Sequence, residues 1–445
     1  MKNLLNAVEK YRDLILETEK YIWEHPETGY REYKTSKFME EKFIELGYDI
    51  TRAENITGFY TTIDTGREGP TLLILGELDS IICPTHKSAD KETGAVHSCG
   101  HNAQCAALIG IAAALKEPNA LDGLSGKIKL CAVPAEELLE IEYRNELMAK
   151  GIIKYYGGKP EFLYRGYFDD VDIAFMVHTT CMEKYSTKIG SVGCLAKQVI
   201  YKGVASHAGG SPWDGRNALY AATCGLNACN AIRETFNEND IIRFHPIITR
   251  AGEMVNAIPD RAVIESYVRG KTFDAMKKAN YRLNQALCGA ALSLDNNIEI
   301  IDKPGYAPLS NDKNMIPLIQ DALKVALPEE EFLFINEVGS GSTDMGDLSA
   351  IMPVIHPYAP GAKGKSHGSD YQIVDKERAC VGSAKWQLAI LYLLLKDGAE
   401  RAKTIIKEHK PMFSSKQEYF ENLSSFDRDG DRIIYSSDGN VSVKL

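Results

Sequence analysis

Five consecutive residues, His97-Ser-Cys-Gly-His101, carry side chains that bind metal ions. The thiolate of Cys99 and the imidazole of His101 stand two residues apart, and Gly100 between them leaves the backbone free to turn both toward one ion. Taken alone, the segment is equally compatible with a buried cysteine beside two histidines. It is therefore a candidate metal site that needs further ligands from elsewhere in the chain.

A pair of adjacent glutamates, Glu136 and Glu137, follows the apolar run at residues 127–133. Because neighbouring side chains diverge, one carboxylate can bind a metal while the other acts as a general base. An isolated Glu-Glu pair is more often a solvated acidic turn. Its position after a strand favours chemistry, since open α/β sheets place their sites at the carboxyl ends of strands.

Two more histidines stand where a side chain could reach the same site. His178 follows the apolar run at residues 173–177, and His367 closes a glycine-rich stretch at residues 361–367. Either one alone is more often a structural residue than a metal ligand. Together with the cysteine, His101 and the glutamate pair, they supply enough ligands for a two-metal hydrolytic site.

The elements around these residues predict an α/β catalytic domain. Residues 5–47 predict two amphipathic helices joined by a turn. Short apolar runs at 71–76, 127–133 and 173–177 are typical of buried strands, and the Ala-rich run at 102–116 is typical of a buried helix. Strands that alternate with helices indicate a sheet covered by helices on both faces.

The pattern changes near residue 191. Residues 191–304 predict a strand, a helix, two strands, a helix at 273–293 and a strand, which is the order of a ferredoxin-like α+β unit. The α/β pattern then resumes, with a strand predicted at 351–356. We therefore expect a catalytic domain split into 1–190 and 305–400, an inserted domain at 191–304, and a C-terminal appendage with a hairpin at 401–445.

Composition narrows the function classes. The chain has 445 residues and a formal charge of −10, which argues against a nucleic-acid partner. Its longest apolar runs, 106–115 and 388–395, are shorter than the ~18 residues of a membrane span. Its ten cysteines form no C-x-x-C pair and no signal-peptide pattern opens the chain, so we expect reduced thiols and a cytoplasmic protein without a membrane partner.

Over residues 10–395, the motifs and their order resemble the aminoacylase/carboxypeptidase-type metallopeptidases, in their amidohydrolase branch. That branch includes aminobenzoyl-glutamate, indoleacetyl-amino-acid and other N-acyl-amino-acid hydrolases. The matching motifs, besides those above, are His25-Pro-Glu27, Thr35-Ser36, Gly76-Glu-Leu-Asp-Ser80, Gly203-Val-Ala-Ser-His-Ala208, Asn256-Ala-Ile-Pro-Asp260, Val268-Arg269 and Gly341-Ser-Thr-Asp344. The resemblance implies a metallopeptidase catalytic domain, with a mixed sheet sandwiched by helices, plus an inserted ferredoxin-like lid and dimerisation domain.

The resemblance also implies roles for single residues. It implies two divalent metal ions per subunit, Mn or Zn first and Co or Ni as alternatives. It implies Cys99 as the ligand that bridges the two ions, and His101, Glu137, His178 and His367 as the other ligands. Glu136 is implied as the general base, and Asp79 as a carboxylate that orients a ligand histidine. His207 is implied as a hydrogen-bond donor to the oxyanion, in its own or a partner subunit's site, and Asn256 and Arg269 as residues that bind a substrate carboxylate or amide.

The expected activity is hydrolysis of the amide bond of an N-acyl or N-aroyl amino acid by a metal-activated water, in a homodimer joined through the lid. A dipeptidase or aminopeptidase of the same family is the alternative, and a catalytically silent dimeric binding protein is a further one. Four departures from the family pattern bear on specificity: Asn102 and Glu77 each stand where the branch has Asp, His367-Gly-Ser stands where the branch has His-Ser-Pro, and the chain is longer between Glu137 and His178.

Overall fold

The computed structural model describes residues 1–438 and 440–445, and they form two compact units. Each unit is assembled from three stretches of chain. Unit 1 consists of Met1–Gly190, Leu309–Val338 and Thr343–Ser414, and unit 2 of Ser191–Pro308, Gly339–Ser342 and Ser415–Leu445.

The helices are numbered along the chain. They are α1 Lys2–Lys10, α2 Arg12–Glu24, α3 Tyr33–Glu45, α4 His101–Leu115, α5 Ile141–Ala149, α6 Gly158–Tyr164, α7 Ala218–Ala231, α8 Phe273–Ser293, α9 Met315–Ala326, α10 Met345–Ser349, α11 Ser383–Leu395, α12 Glu400–Glu408 and α13 Lys416–Ser424.

The strands are β1 Thr51–Arg52, β2 Phe59–Asp64, β3 Thr71–Glu77, β4 Ile81–Ile82, β5 Ala95–Val96, β6 Lys127–Val133, β7 Ile173–Phe175, β8 His178–Thr180, β9 Tyr185–Ser191, β10 Gly193–Lys202, β11 Arg243–Phe244, β12 Ile247–Arg250, β13 Arg261–Gly270, β14 Asn297–Tyr306, β15 Leu309–Ser310, β16 Phe332–Gly339, β17 Val354–Ile355, β18 Tyr358–Pro360, β19 Ala362–Lys363, β20 Gln372–Ile373, β21 Ile433–Tyr435 and β22 Val441–Val443.

A mixed six-stranded sheet in the order β1-β2-β6-β3-β7-β17 forms the centre of unit 1. Strands β6, β3, β7 and β17 are parallel, so their carboxyl ends lie on one side of the sheet, whereas β2 runs antiparallel to β6. Strand β3 is buried along its whole length, as its apolar sequence predicts. The predicted mixed α/β architecture is confirmed.

Helix α4 is buried at every one of its 15 positions. It packs on α2 and on β3, and its many small residues, alanines and one glycine, permit this close approach. At Gly110, for example, a Cβ would lie 2.5 Å from Ile15 Cδ1 of α2. The residues just before and at the start of α4 are therefore held on a rigid element.

In unit 2 an antiparallel sheet has the order β11-β13-β10-β14, with β12 also paired to β13. Helices α7 and α8 pack on each other and on this sheet. Along the chain the order is strand, helix, strands, helix, strand, which is the ferredoxin-like pattern. The outer edge of β14 makes bridges from Glu299 to Asp431 and from Asp302 to Arg428.

Three details differ from the sequence-based expectations. Residues 5–47 contain three helices rather than two, because the chain turns at Tyr11 between α1 and α2. The expected strand at 351–356 is only Val354–Ile355. The expected appendage at 401–445 divides between the units at Ser414, since α12 packs on α11 in unit 1 and the segment near Arg428 binds β14 in unit 2.

Among the described residues, no helix combines the length and the apolar character needed to cross a bilayer.

Candidate metal centre

Seven side chains with metal-binding atoms gather in unit 1 in three groups, two of which share one cysteine. The first group is Cys99, His101 and His178, the second is Cys99, Glu137 and His367, and the third is Glu77, His101 and Glu136. Within each group the candidate ligand atoms all lie within 4.8 Å of one another. A thiolate common to two groups of ligands is the arrangement that a bridged pair of metal ions requires.

Gly100 makes the approach of Cys99 and His101 sterically feasible. Its φ of +91° lies in the left-handed region, where glycine carries no penalty. A Cβ at this position would lie 2.2 Å from Thr179 Oγ1 and 2.5 Å from Tyr371 Oη. Only glycine fits here, and it lets the chain turn from Cys99 into the first residue of α4.

Hydrogen bonds to Nδ1 orient both histidines of the first group. His101 Nδ1 donates to the backbone oxygen of Asp79 at 2.9 Å, and His178 Nδ1 donates to the backbone oxygen of Thr179 at 2.8 Å. In each ring, Nε2 is then the atom available to a metal. His178 Nε2 lies 3.5 Å from Cys99 Sγ, which places it within the cluster.

Asp79 connects the first and second groups. Its Oδ2 accepts a hydrogen bond from the backbone N–H of Glu137 at 2.8 Å, and its Oδ1 lies 3.3 Å from His101 Nδ1. In the second group, His367 Nε2 lies 3.1 Å from Glu137 Oε1. The backbone of His367 is anchored by its N–H, which donates to Ser98 O at 2.9 Å.

The electrostatics of the cluster favour metal-binding protonation states on the cysteine and the glutamate. Burial and Glu137 oppose ionisation of Cys99, but His101 and His178 outweigh them and lower its pKa to about 6. Burial also opposes ionisation of Glu137, yet His367 lowers the pKa of Glu137 to about 2. The charge of Glu137 in turn raises the pKa of His367 to about 12. Positive charge on the imidazoles thus balances the thiolate and the carboxylate, and a divalent cation would displace those protons.

Glu136 lies beside the first group. It is 6% exposed, and its Oε2 lies 3.9 Å from His101 Nε2. Burial, followed by the neighbouring charges of Glu77 and Glu137, raises the pKa of Glu136 well above the ordinary carboxyl value. A carboxyl group with a raised pKa next to a metal cluster is suited to accept and return a proton.

A buried ion-pair network that the sequence did not reveal lies against the cluster. Lys159, from α6 in the extra length after Glu137, donates from Nζ to Glu77 Oε1 at 2.5 Å and to Asp344 Oδ1. Glu77 Oε2 in turn lies 3.1 Å from His101 Nε2. In the sequence Glu77 stands out only as a replacement for Asp, although its place at the carboxyl end of β3 is a usable signal.

The substitution at Asn102 has a structural explanation. Its Nδ2 donates to Glu19 Oε1 at 2.9 Å, and Glu19 also pairs with Lys376 Nζ at 2.5 Å. Asn102 therefore links α4 to α2 and belongs to none of the three groups of ligands. His97, which the sequence leaves open as a supporting residue or a minor ligand, is buried in unit 1, and burial lowers its pKa to about 3.

The remaining predicted residues belong to unit 2. His207 Nδ1 accepts hydrogen bonds from the backbone N–H groups of Gly209 at 3.1 Å and Gly210 at 2.9 Å. Its proton therefore resides on Nε2, which is the form that can donate to an oxyanion. His207 forms a β-bridge with Ala257, next to Asn256.

Arg269 stands at the far end of β13 from Asn256. Asn256 precedes Arg261, the first residue of that strand, and Arg269 is eight residues further along. At about 3.3 Å per residue, the strand separates the two ends by about 26 Å. The structure therefore brings His207 and Asn256 together but sets Arg269 apart from both.

The chain is similar in sequence to enzymes of known activity and in fold to solved structures. Indole-3-acetyl-aspartic acid hydrolase from Enterobacter agglomerans is 27% identical over 329 residues, covering 62% of this chain and 71% of that protein. Xaa-Arg dipeptidase from Homo sapiens is 27% identical over 373 residues, covering 79% and 77%. A dinuclear metal binding peptidase of the M20 family from Bacillus subtilis superposes with a TM-score of 0.62 at 18% identity, covering 87% of this chain and 99% of its own, which shows a shared fold.

The sequence profile of Peptidase family M20/M25/M40 matches residues 74–391. This span runs from within β3 to within α11 and includes each of the seven clustered residues. With most of the chain matched, the protein belongs to Peptidase family M20/M25/M40.

Proposed function

We propose that the protein hydrolyses the amide bond of N-acyl or N-aroyl amino acids at a site that holds two divalent metal ions. The observation that carries the proposal is the pair of ligand groups that share Cys99, with Glu136 adjacent. The similarity to a hydrolase of indole-3-acetyl-aspartic acid, an N-acyl amino acid, supports the substrate class.

The donor set fits divalent transition metals. It combines one thiolate, three imidazoles and one carboxylate, which suits Zn²⁺, Mn²⁺, Co²⁺ or Ni²⁺ better than the all-oxygen ligands that Mg²⁺ and Ca²⁺ prefer. The proposed ligands are Cys99, His101, Glu137, His178 and His367. When bound, such ions supply Lewis-acid polarisation of the scissile carbonyl and lower the pKa of water.

The chain's own groups carry the proton steps. The Glu136 carboxylate takes a proton from the attacking water and then delivers it to the nitrogen of the leaving amino acid. Asp79 holds His101 and the backbone of Glu137 in position. The Nε2–H of His207 donates a hydrogen bond to the oxyanion as the carbonyl becomes tetrahedral.

The separation of Arg269 from Asn256 supports a homodimer as the active form. One substrate molecule cannot contact both ends of β13 in the same chain, about 26 Å apart. In the proposed dimer, His207 and Asn256 of one chain serve the catalytic unit of the other. Ile247 on edge strand β12 is 62% exposed, whereas β14, at the opposite edge, already pairs with the C-terminal segment. The β12 edge is therefore the proposed contact between the inserted domains.

The test is a hydrolysis assay on protein loaded with Mn²⁺ or Zn²⁺, with N-acetyl and N-benzoyl amino acids as substrates. The matched variant Glu136→Gln keeps the size of the side chain and removes the base. We expect turnover to fall by ~10²–10⁴-fold while the metal content of the protein stays the same. Near-normal turnover in Glu136→Gln would contradict the role of Glu136. Less than about one bound ion per chain after loading, without amide hydrolysis, would contradict the proposal as a whole.

A dipeptidase is the second candidate, favoured by the similarity to human Xaa-Arg dipeptidase. The two functions differ at the substrate's amino end, because a dipeptidase must bind a free, positively charged α-amino group. Comparing kcat/KM for N-acetyl-arginine and glycyl-arginine separates them. A preference of tenfold or more for the dipeptide would favour the second candidate, since tenfold corresponds to about 1.4 kcal/mol of transition-state binding.

A further inference from the structure

A cavity of about 580 Å³ lies in unit 2, between helix α8 and the segment that follows α13. Its volume falls within the ~300–1,000 Å³ of typical small-molecule sites. None of the proposed metal ligands or substrate-binding residues lines it. Because the chemistry proposed above makes no use of this cavity, its lining has to be explained separately.

The lining is strongly basic. It includes Lys277, Lys278 and Arg282 on one face of α8, and Arg428 from the segment after α13. Neither Asp nor Glu lines the cavity. Within the part of the chain that the structure describes, none of these four side chains has a carboxylate oxygen within 4.0 Å of its charged nitrogens. On a chain with a net charge of −10, four such cations around one cavity form a local positive field.

The hydrogen bonds that these cations do make leave their charge uncompensated. Lys277 Nζ donates to Asn422 Oδ1 at 2.9 Å, which is a neutral acceptor. Arg282 donates to the backbone oxygen of Thr235 at 3.4 Å. Arg428 Nε is buried and has no hydrogen-bond partner among the described residues. A buried guanidinium nitrogen without an acceptor is costly, so a bound anion would relieve that cost.

Two aromatic rings line the same cavity. Phe426 is almost fully buried and lies 4.9 Å from Lys277 Nζ, measured to the ring centroid. Tyr281, which lies one turn of α8 after Lys277, is 45% exposed. A ligand that carries a flat apolar group beside its anionic group would contact the rings and the cations together.

Part of this cavity comes from a stretch of the chain outside the family match. The match ends at residue 391, whereas Phe426 and Arg428 lie beyond it. We propose that the cavity binds a small organic anion that carries an aromatic ring, with a phosphate or a carboxylate as the charged group. The lining of this cavity shares no residue with the metal centre.

Isothermal titration of the metal-loaded protein with phenyl phosphate tests the proposal, with inorganic phosphate and phenol as probes that lack the ring or the charge. The test variant is Lys278→Gln/Arg428→Gln. The matched control is Arg261→Gln/Lys271→Gln, which removes two exposed charges of unit 2 outside the cavity. Amide hydrolysis is measured alongside for each protein.

We expect saturable binding of phenyl phosphate that is weakened ~100-fold in Lys278→Gln/Arg428→Gln, about tenfold for each charge-assisted hydrogen bond that the variant removes. Affinity should be unchanged in the control, and turnover unchanged in both variants. Inorganic phosphate and phenol should each bind at least tenfold more weakly than phenyl phosphate. Equal affinity of the two variants for phenyl phosphate would overturn the proposal, as would the absence of saturable binding. Equal affinity of the unmodified protein for phenyl phosphate and inorganic phosphate would overturn it as well.

Discussion

Replacing Lys159 by Met tests whether the buried network beside the metal cluster positions a ligand. Lys159 and Asp344 are 0% exposed, and the side chain of Glu77 is 1% exposed. The variant leaves two buried carboxylates facing a neutral side chain. Breaking a buried ion pair from one side typically costs about 3–5 kcal/mol, so we expect a loss of that size in the free energy of unfolding near pH 8.

The loss of unfolding free energy in Lys159→Met should become smaller as pH falls. Burial already raises the pKa of Asp344 to about 6 although Lys159 opposes the shift, so without the lysine the carboxyl group of Asp344 takes up a proton more readily. When the pKa of a carboxyl group is raised in the folded state, the protein loses stability as pH rises through that pKa. The difference between the original protein and Lys159→Met should therefore be smaller by ~1–2 kcal/mol at pH 5.5 than at pH 8, measured by urea unfolding.

Metal affinity separates a positioning role from a purely structural one. Glu77 lies 3.1 Å from His101 Nε2, so a Glu77 carboxylate freed from Lys159 would compete for that ring. We expect a ~10–100-fold loss of metal affinity, as for other residues that orient ligands. Lys197→Met is the matched control, because Lys197 is an equally buried lysine paired with Asp302 in unit 2. If both variants bound metal equally well, or if Lys159→Met cost less than about 1 kcal/mol, this reasoning would be refuted.

Three further predictions address other parts of the molecule. Cys99→Ser should lower the number of bound metal ions per chain measured by elemental analysis, whereas Cys131→Ser, at a buried position in β6, should not. Burial, reinforced by Asp79, raises the pKa of Glu32 to about 8, so stability should fall as pH rises from 5 to 8. Glu32→Gln, compared in EDTA, should reduce that fall by at least about 1 kcal/mol, and parallel curves would contradict the assignment. Ile247→Arg should convert the proposed dimer to a monomer in light scattering, and an unchanged mass would exclude β12 as the interface.

Periodicity and position in the chain were enough to predict much of the fold. The strand at Lys127–Val133 and the helix at Phe273–Ser293 have the predicted bounds, because continuous burial in one case and a polar N-cap at Thr272 in the other are local properties of the sequence. The division of the C-terminal segment was not predictable. It depends on pairing between Arg428 and Asp302, which are 126 positions apart and carry no pattern that links them.

The clustering of Cys99 and His178 follows from the rule that sites form at the carboxyl ends of parallel strands. The same rule could have identified Glu77, because β3 pairs with β6 and places Glu77 opposite Val133, just before the glutamate pair. Lys159 could not have been found that way. Its burial depends on how α6 folds back on the site, and lysine in an exposed loop is the ordinary expectation from sequence. The catalytic and ligand roles of these residues stay predictions until they are tested.

The edge of the unit 1 sheet has a consequence for the order in which the protein folds. Strand β17 pairs in parallel with β7, although residues 191–308 of unit 2 intervene between them in the chain. During synthesis the ribosome completes the five-stranded sheet of unit 2 before it makes Val354 and Ile355. The inserted sheet, whose strands are close in sequence, can therefore form while the catalytic sheet still has one strand missing and an open edge.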